Sequence, residues 1–395
     1  MSIRVCFVVD SGTDVRLVES LGRLTSMRIL ARAVPNGRVI SQDPRIPVDL
    51  EVGPASHAAF CTLIARRLWV MRNEIDVVLV QGYGPSAAVA NMLGRLTGKP
   101  ALMLVCSPAE AYYRCRRTAG GRRFSVVEYA AIKLLAVLNA WIGFGYIVLS
   151  PYLASVVRAH GSRIPVDVIP VYGVDRSVFF PGTEPKSSLR RRLGLPEDQS
   201  IIFFSSRVAP EKDAEAVLRA VGRLATSGRC VKLLHLSGGH RELFRVAESI
   251  GVQSHVIAGD AVAPFEQLAD YYRASDVCVQ ASREEGLGFS PLEGLACGVP
   301  VVATAVGGLN DTIRDGETGW QVPVGDDLKL ARALAEILDD PAEAARRCAN
   351  AIMEIDRSYE RGRVFEALLA RLMREIEVPL VSSAAIERER GTGSI

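Results

Sequence analysis

Two acidic residues eight positions apart, Glu285 and Glu293, bracket the turn Gly286-Leu287-Gly288-Phe289-Ser290-Pro291. Carboxylates accept paired hydrogen bonds and suit neighbouring hydroxyls of a sugar. Gly286 and Gly288 permit unusual backbone angles and the close approach of a ligand. Ser290 and Pro291 read as the N-cap and first position of a short helix that runs to Cys297 and stops at Gly298. The start of such a helix offers free N–H groups to an anion. A structural alternative stands beside each acid. Ser290-x-x-Glu293 is also a capping box, in which Glu293 only satisfies a backbone N–H, and Glu285 beside Glu284 also reads as an exposed loop acid.

Upstream, Arg207 and Lys212 flank the turn that follows the apolar run Ile201 to Phe204. An Arg fork and a compact Lys charge at a strand-to-helix turn suit a diphosphate. The chain has 47 basic residues, of which only six are Lys. A Lys inside a motif is therefore informative here, although two solvated surface cations are the simpler alternative.

These residues need elements to hold them. Apolar runs at Ile3 to Val9, Asp76 to Val80, Ala101 to Val105 and Tyr146 to Leu149 alternate with helical patterns. The alternation restarts at Ile201 to Phe204, Val231 to Leu236, His255 to Ala258, Val277 to Val279 and Pro300 to Ala303. Each half predicts a doubly wound parallel sheet. The expected organisation is an N-terminal Rossmann-like domain over 1–180, a polar linker over 181–200, a C-terminal Rossmann-like domain over 201–378 and a loose tail over 379–395. The last helix is expected to pack back on the first domain. Ligands of such sheets bind outside the carboxyl ends of the strands, where Arg207, Lys212 and Glu285 fall.

Composition sets bounds on the rest. The 395 residues are 49% hydrophobic and 23% charged, with net charge +3. That excludes a disordered chain, and neither the charge nor any recognised module points to nucleic acid. The eight cysteines form no C-x-x-C pair and read as small buried thiols of a reducing, cytoplasmic setting. No Cys/His cluster has zinc-ligand spacing. The apolar stretch from Tyr129 to Leu149, broken by Gly143 and Gly145, is expected to be a buried helix followed by a core strand rather than a membrane span.

With those motifs in order, Ser282 to Gly319 resembles the donor-binding region of the retaining, family-four glycosyltransferases of the GT-B fold, two Rossmann-like domains facing a central cleft. The hallmark is a Glu, seven residues and a second Glu around a Gly-rich turn, followed here by Leu295-Ala296-Cys297-Gly298-Val299-Pro300-Val301-Val302. Val168-Ile169-Pro170 and Gly173-Val174-Asp175 resemble the segment before the interdomain linker. The resemblance implies that Arg207 and Lys212 neutralise the donor diphosphate as it leaves and that Glu293 binds the ribose. It implies that Glu285 binds the donor sugar, with the backbone of Gly286, Leu287, Gly288 and Phe289 on sugar or phosphate. The base is expected against Val256 to Gly259, and Gly12 represents the family's glycine turn after the first strand. No metal or other cofactor is implied, because Arg, Lys and a helix terminus can replace a cation. The implied co-substrate is a nucleotide-diphosphate sugar, UDP favoured over GDP by family frequency. The implied reaction moves a hexose to a small-molecule or lipid-linked acceptor. A sugar-nucleotide epimerase and a silent partner subunit are the rival readings.

The chain departs from the family on the acceptor side. Cys106-Ser107-Pro108-Ala109-Glu110 stands where a His is usual, and Pro170-Val171-Tyr172-Gly173 replaces Pro-Asn-Gly. Tyr83, Ser107, Glu110, Tyr112 and Arg114 are the acceptor candidates. Arg114, Arg116, Arg117, Arg122 and Arg123 suggest an anionic acceptor or peripheral contact with an anionic membrane, against a plain solvated loop.

Overall fold

The computed structural model describes residues 2–10, 13–33, 49–119, 123–259 and 265–377. Gly12, Arg122 and the expected tail lie outside them. The first half holds strands β1 (Arg4–Val9), β2 (Ser26–Arg32), β3 (Asp49–Gly53), β4 (Val77–Gln81), β5 (Ala101–Val105), β6 (Gly145–Val148) and β7 (Val166–Val168). Its helices are α1 (Val15–Leu24), α2 (His57–Val70), α3 (Pro85–Thr97), α4 (Ala109–Ala119), α5 (Val126–Ile142) and α6 (Pro151–Arg158). The second half holds β8 (Ser200–Phe203), β9 (Val231–Leu236), β10 (Val256–Gly259), β11 (Val277–Gln280), β12 (Val301–Thr304) and β13 (Trp320–Val322). Around them lie α7 (Lys186–Leu193), α8 (Ala214–Thr226), α9 (His240–Ser249), α10 (Phe265–Ala274), α11 (Phe289–Ala296), α12 (Leu309–Thr312), α13 (Asp327–Asp339), α14 (Pro341–Ser358) and α15 (Arg361–Glu377).

The two sheets repeat one order. The first runs β3-β2-β1-β4-β5-β6-β7 and the second β10-β9-β8-β11-β12-β13. The paired strands are parallel, as continuous apolar runs covered by helices on both faces require. In each sheet the order reverses between the first and fourth strands, β1 and β4 or β8 and β11, which opens a crevice at their carboxyl ends. The two crevices face each other, so this is the GT-B architecture. Strands β2, β3, β7 and β13 have no counterpart among the sequence expectations. β2 is interrupted by Arg28 and β3 by Glu51, and β7 and β13 have three residues each.

Within the expected linker over 181–200, Lys186–Leu193 form α7, which packs on α10. One other expectation needs correction. The apolar stretch after Tyr129 does form a helix and then strand β6, but α5 is not a buried helix. Its buried residues are Ala136, Asn139 and Ala140, while Val126, Val127, Leu134, Val137, Leu138 and Trp141 face solvent. A helix laid on a sheet covers one stripe only, and among the described residues no neighbouring element covers the other side of this one. Among the described residues no helix is long and apolar enough to cross a membrane.

The last helix returns to the first domain. α15 packs on α1 and β4, with Arg371 Nε 2.5 Å from Asp167 and Arg361 Nη2 donating to Ser20 Oγ at 2.7 Å.

Candidate functional site

Between the two switch points lies a cavity of about 410 Å³. It gathers residues from both domains: Arg207, Lys212, Glu285, Leu287, Gly288 and Phe289 from the second, Arg16, Ser107 and Tyr112 from the first. Sequence reasoning had placed eight of these nine near a ligand, and Arg16 is the addition.

The second domain builds its part from two strand ends. β8 leads through Ser205 and Ser206 to Arg207, then into a single 3-10 turn at Pro210–Lys212. Asp213 follows with φ of 46°, a left-handed backbone rare for a residue other than Gly, and only then does α8 begin. This sharp turn aims Lys212 at the cleft, and Arg283 holds the Asp213 carboxylate at 2.8 Å. β11 leads to Ser282 and Glu285, then to α11.

Glu285 is buried, so the exposed-acid alternative fails. Its Oε2 lies 2.5 Å from Lys212 Nζ and accepts from Gln280 Nε2 at 3.0 Å and Ser282 Oγ at 3.2 Å. Arg207 is the freer cation. It is 66% exposed, with its nearest carboxylate, Glu211, at 3.8 Å.

The capping box is also absent. α11 begins at Phe289 with Gly288 as its N-cap, so Ser290 is already inside the helix and caps nothing with its side chain. Gly288 has φ of 97°, which a side chain at Cβ would strain. Glu293 instead points away from the helix start. It accepts from Tyr272 Oη at 3.2 Å and forms an ion pair with Arg16 across the domain interface. Asp14 caps α1 through Arg16 N at 2.9 Å and grips the Arg16 guanidinium at 2.6 Å. Burial acts most strongly on Arg16 and disfavours its charge, but Glu293 and Asp14 outweigh burial and hold its pKa above the usual value.

The glycine turn is shaped by the first domain as well as by any ligand. A Cβ on Gly286 would stand 2.3 Å from the Cys106 carbonyl oxygen, and Ser150 Oγ donates to the Gly286 carbonyl at 2.7 Å. The loop that carries Glu285 is thus seated directly on the end of β5.

A second cavity, of about 280 Å³, lies in the first domain at the ends of β1, β2 and β4. Asp10, Arg32, His57, Tyr83 and Ser107 line it, with Ile132 and Leu135 of α5 as an apolar wall. Arg32 donates to Asp10 at 2.7 Å. Cys106 and Ser107 border both cavities, so the two meet there.

The remaining acceptor candidates take different places. Tyr112 borders the interdomain cavity. Burial, then Glu285 and Glu211, push its phenol upward and keep it protonated. Glu110 is buried, accepting from Tyr83 Oη at 2.5 Å with His160 Nε2 at 2.6 Å. Burial opposes its charge most, yet the His160 and Tyr83 contacts prevail and hold its carboxyl below the ordinary range. Arg114 turns outward to Tyr129 Oη at 2.7 Å. Arg116 crosses to Glu211 at 2.6 Å, and Arg117 meets Glu128 at 2.5 Å. Arg116 and Arg117 of the basic segment are thus paired with carboxylates within the chain, while Arg114 meets a neutral phenol. Gly259 ends the edge strand β10 and does not border the interdomain cavity.

Residues 185–354 match the family model described as glycosyl transferases group 1. Among curated proteins, the D-inositol 3-phosphate glycosyltransferase of Thermobispora bispora is 36% identical over 191 residues, 46% of this chain and 44% of that one. The protein of the same name from Mycolicibacterium smegmatis is 37% identical over 206 residues, 50% and 45%. The chain therefore spans less than half the length of the relatives it matches. Among solved structures, sucrose-phosphate synthase from Thermosynechococcus elongatus superposes with a TM-score of 0.77 at 21% identity, over 95% of this chain and 99% of that one. Anabaena HepE, solved with UDP and glucose, gives 0.77 at 17% identity over 94% and 100%. These likenesses establish the GT-B fold across the chain and bear out the resemblance to its glycosyltransferases.

Proposed function

We propose that the chain is a retaining glycosyltransferase that draws a hexose from a nucleotide-diphosphate sugar bound in the interdomain cavity. The observation that carries this reading is the convergence of Arg207, Lys212 and Glu285 on one cavity between two facing switch points, beside the start of α11. Exposed Arg207 and Lys212 would meet the diphosphate. In doing so Lys212 exchanges Glu285 for phosphate, and Glu285 becomes available to the sugar hydroxyls. Glu293 is buried and does not border the cavity; its role on the ribose rests on the family resemblance and on the lone pairs left beyond those used by Arg16 and Tyr272. A uridine nucleotide is the favoured base, in keeping with the UDP bound by HepE.

In the proposed reaction the bond from the anomeric carbon to the diphosphate oxygen breaks, and its electron pair goes to the diphosphate. The acceptor oxygen attacks the same face, and its proton passes to that departing oxygen. Growing charge on the leaving group is met by Arg207 and Lys212, so these cations bind the transition state more tightly than the ground state. The acceptor hydroxyl would enter from the first-domain cavity, past Tyr83 and Ser107. Cationic side chains and the helix start supply the neutralisation, and no metal or cofactor is invoked. Cytoplasmic placement fits eight free cysteines.

The test is a thermal-shift series with UDP, GDP and their sugars. A ligand at about 100 times its Kd adds roughly 2.7 kcal/mol of apparent stability. UDP compounds should raise Tm in the native protein and not in Arg207→Ala. If every nucleotide fails, the reading is wrong. Conversion of a donor without any acceptor would favour an epimerase, and an inverted product anomer would refute retention.

A further inference from the structure

Glu211 stands between Arg207 and Lys212 in the chain, yet its side chain is only 1% exposed and does not border the interdomain cavity. Its counter-ion comes from the other domain. Arg116 of α4 donates to both carboxylate oxygens, from Nη2 to Oε1 at 2.6 Å and from Nε to Oε2 at 3.2 Å. The Arg116 guanidinium also lies 5.2 Å from the centre of the Tyr112 ring. α4 packs on the Pro210–Lys212 turn, so this pair sits at a contact between the domains. Arg116, like Glu211, lies outside the cavity lining.

Arg207 Nη2 lies 3.8 Å from the same Oε1 that Arg116 holds. Arg207 is therefore near Glu211 without being hydrogen-bonded to it. Two other cations around the turn are committed elsewhere, Lys212 to Glu285 at 2.5 Å and Arg283 to Asp213 at 2.8 Å. We infer that Arg116 is the counter-ion that keeps Arg207 available to the donor diphosphate. It is a positioning residue, acting on Arg207 through Glu211. The inference rests on the reading of the interdomain cavity as the nucleotide-sugar site, and adds to it a first-domain residue that sets donor affinity from outside the cavity.

The physical reason is desolvation. A carboxylate withdrawn from water needs a partner, and its pull on a nearby cation grows as water is excluded. The fork of Arg116 meets that need with two charge-assisted hydrogen bonds. Two cations against one acid leave one positive charge over for the diphosphate. Without Arg116 the acid turns to Arg207, whose exposed side chain closes the gap by a small rotation. The trio then has no charge to spare. Because Arg116 and Glu211 belong to different domains, the release of Arg207 also depends on α4 and the turn staying in contact.

The experiment is calorimetric titration of UDP, with GDP in parallel, into the native chain and four variants. Arg116→Gln should weaken the nucleotide by about tenfold, the scale of one hydrogen bond to a charged group. Glu211→Gln keeps the volume and removes the acid, so it should bind as tightly as the native chain or more tightly. Arg116→Gln combined with Glu211→Gln should regain native affinity, because no acid is left to capture Arg207. Arg116→Lys keeps the charge and should retain most of the affinity. A merely structural pair behaves otherwise: either single change loosens the turn, and the double change does not recover it. The inference alone is overturned if the native chain binds and Arg116→Gln binds equally well, or if the double variant stays as weak as Arg116→Gln. Should Arg116→Gln fold poorly, Glu211→Gln decides, since weakened binding there overturns the inference. A native chain that binds neither nucleotide overturns the reading of the site and the inference with it.

Discussion

Replacing Lys212 with methionine removes one charge and keeps most of the side-chain volume. Lys212 Nζ lies 2.5 Å from Glu285 Oε2, and the two side chains are 14% and 11% exposed. Breaking a fully buried pair costs about 3–5 kcal/mol, because a bare charge is left behind. Here Gln280 and Ser282 still donate to the carboxylate. The expected loss is therefore about 2 kcal/mol, the scale of one hydrogen bond to a charged group. For a domain of this size that is a fall in Tm of roughly 4–8 °C. Transfer from a UDP-sugar should fall by about 10²–10³-fold, because a cation aimed at developing charge is lost. Glu285→Gln separates the two roles of the pair. It releases Lys212 for phosphate, so UDP should bind as tightly as before or more tightly, while transfer still falls. Calorimetric titration of UDP and initial rates on each variant measure both effects. The exchange of partners is refuted if Glu285→Gln weakens UDP as much as Lys212→Met does. The site assignment itself is refuted if Lys212→Met transfers sugar at the native rate.

Three further outcomes follow from the geometry. Arg16→Met removes the cation paired with buried Glu293 and should cost about 3–5 kcal/mol in urea unfolding; a loss below about 1 kcal/mol would show that the interdomain pair is solvated. Gly286→Ala places a Cβ against the Cys106 carbonyl, so the loop must move, costing about 1–3 kcal/mol and, through a displaced Glu285, about 10²-fold in transfer. Native stability and rate in that variant would contradict the close seating of the loop on β5. Glu211 experiences burial most strongly, which opposes its charge, but Arg116 prevails and its folded pKa lies below the usual 4.5. The pair therefore stabilises the fold above that ordinary value and is lost as pH falls through the folded one. The Tm gap between native chain and Arg116→Gln should be full near pH 7 and close in acid, and a gap independent of pH would exclude the pair as its cause.

Much of the site was legible because its spacing is local. A strand end, a turn and a helix start follow one another within ten or so residues, so Arg207, Lys212 and Glu285 could be placed at carboxyl ends without coordinates. The same holds for the repeated strand–helix alternation that gave two facing sheets. Local spacing misled where one pattern has two solutions. Ser290-x-x-Glu293 has the form of a capping box, yet Gly288 in a left-handed conformation starts the helix earlier and turns Glu293 toward Tyr272. Strands β7 and β13 were missed because three residues carry too little periodicity.

The amino-acid sequence alone determined which residues lie at the strand ends and which chemistry their types can support. Hydrophobic runs choose their own strands, and turns choose their own residues. Only the tertiary structure decided which charges meet. Arg16 with Glu293, Arg116 with Glu211 and Ser150 with Gly286 join residues far apart in the chain. Such pairs depend on how two separately wound sheets come together. The same reason explains α5: apolar residues lie on its inner and outer sides alike, and only the packing of the domain shows which of them stay exposed.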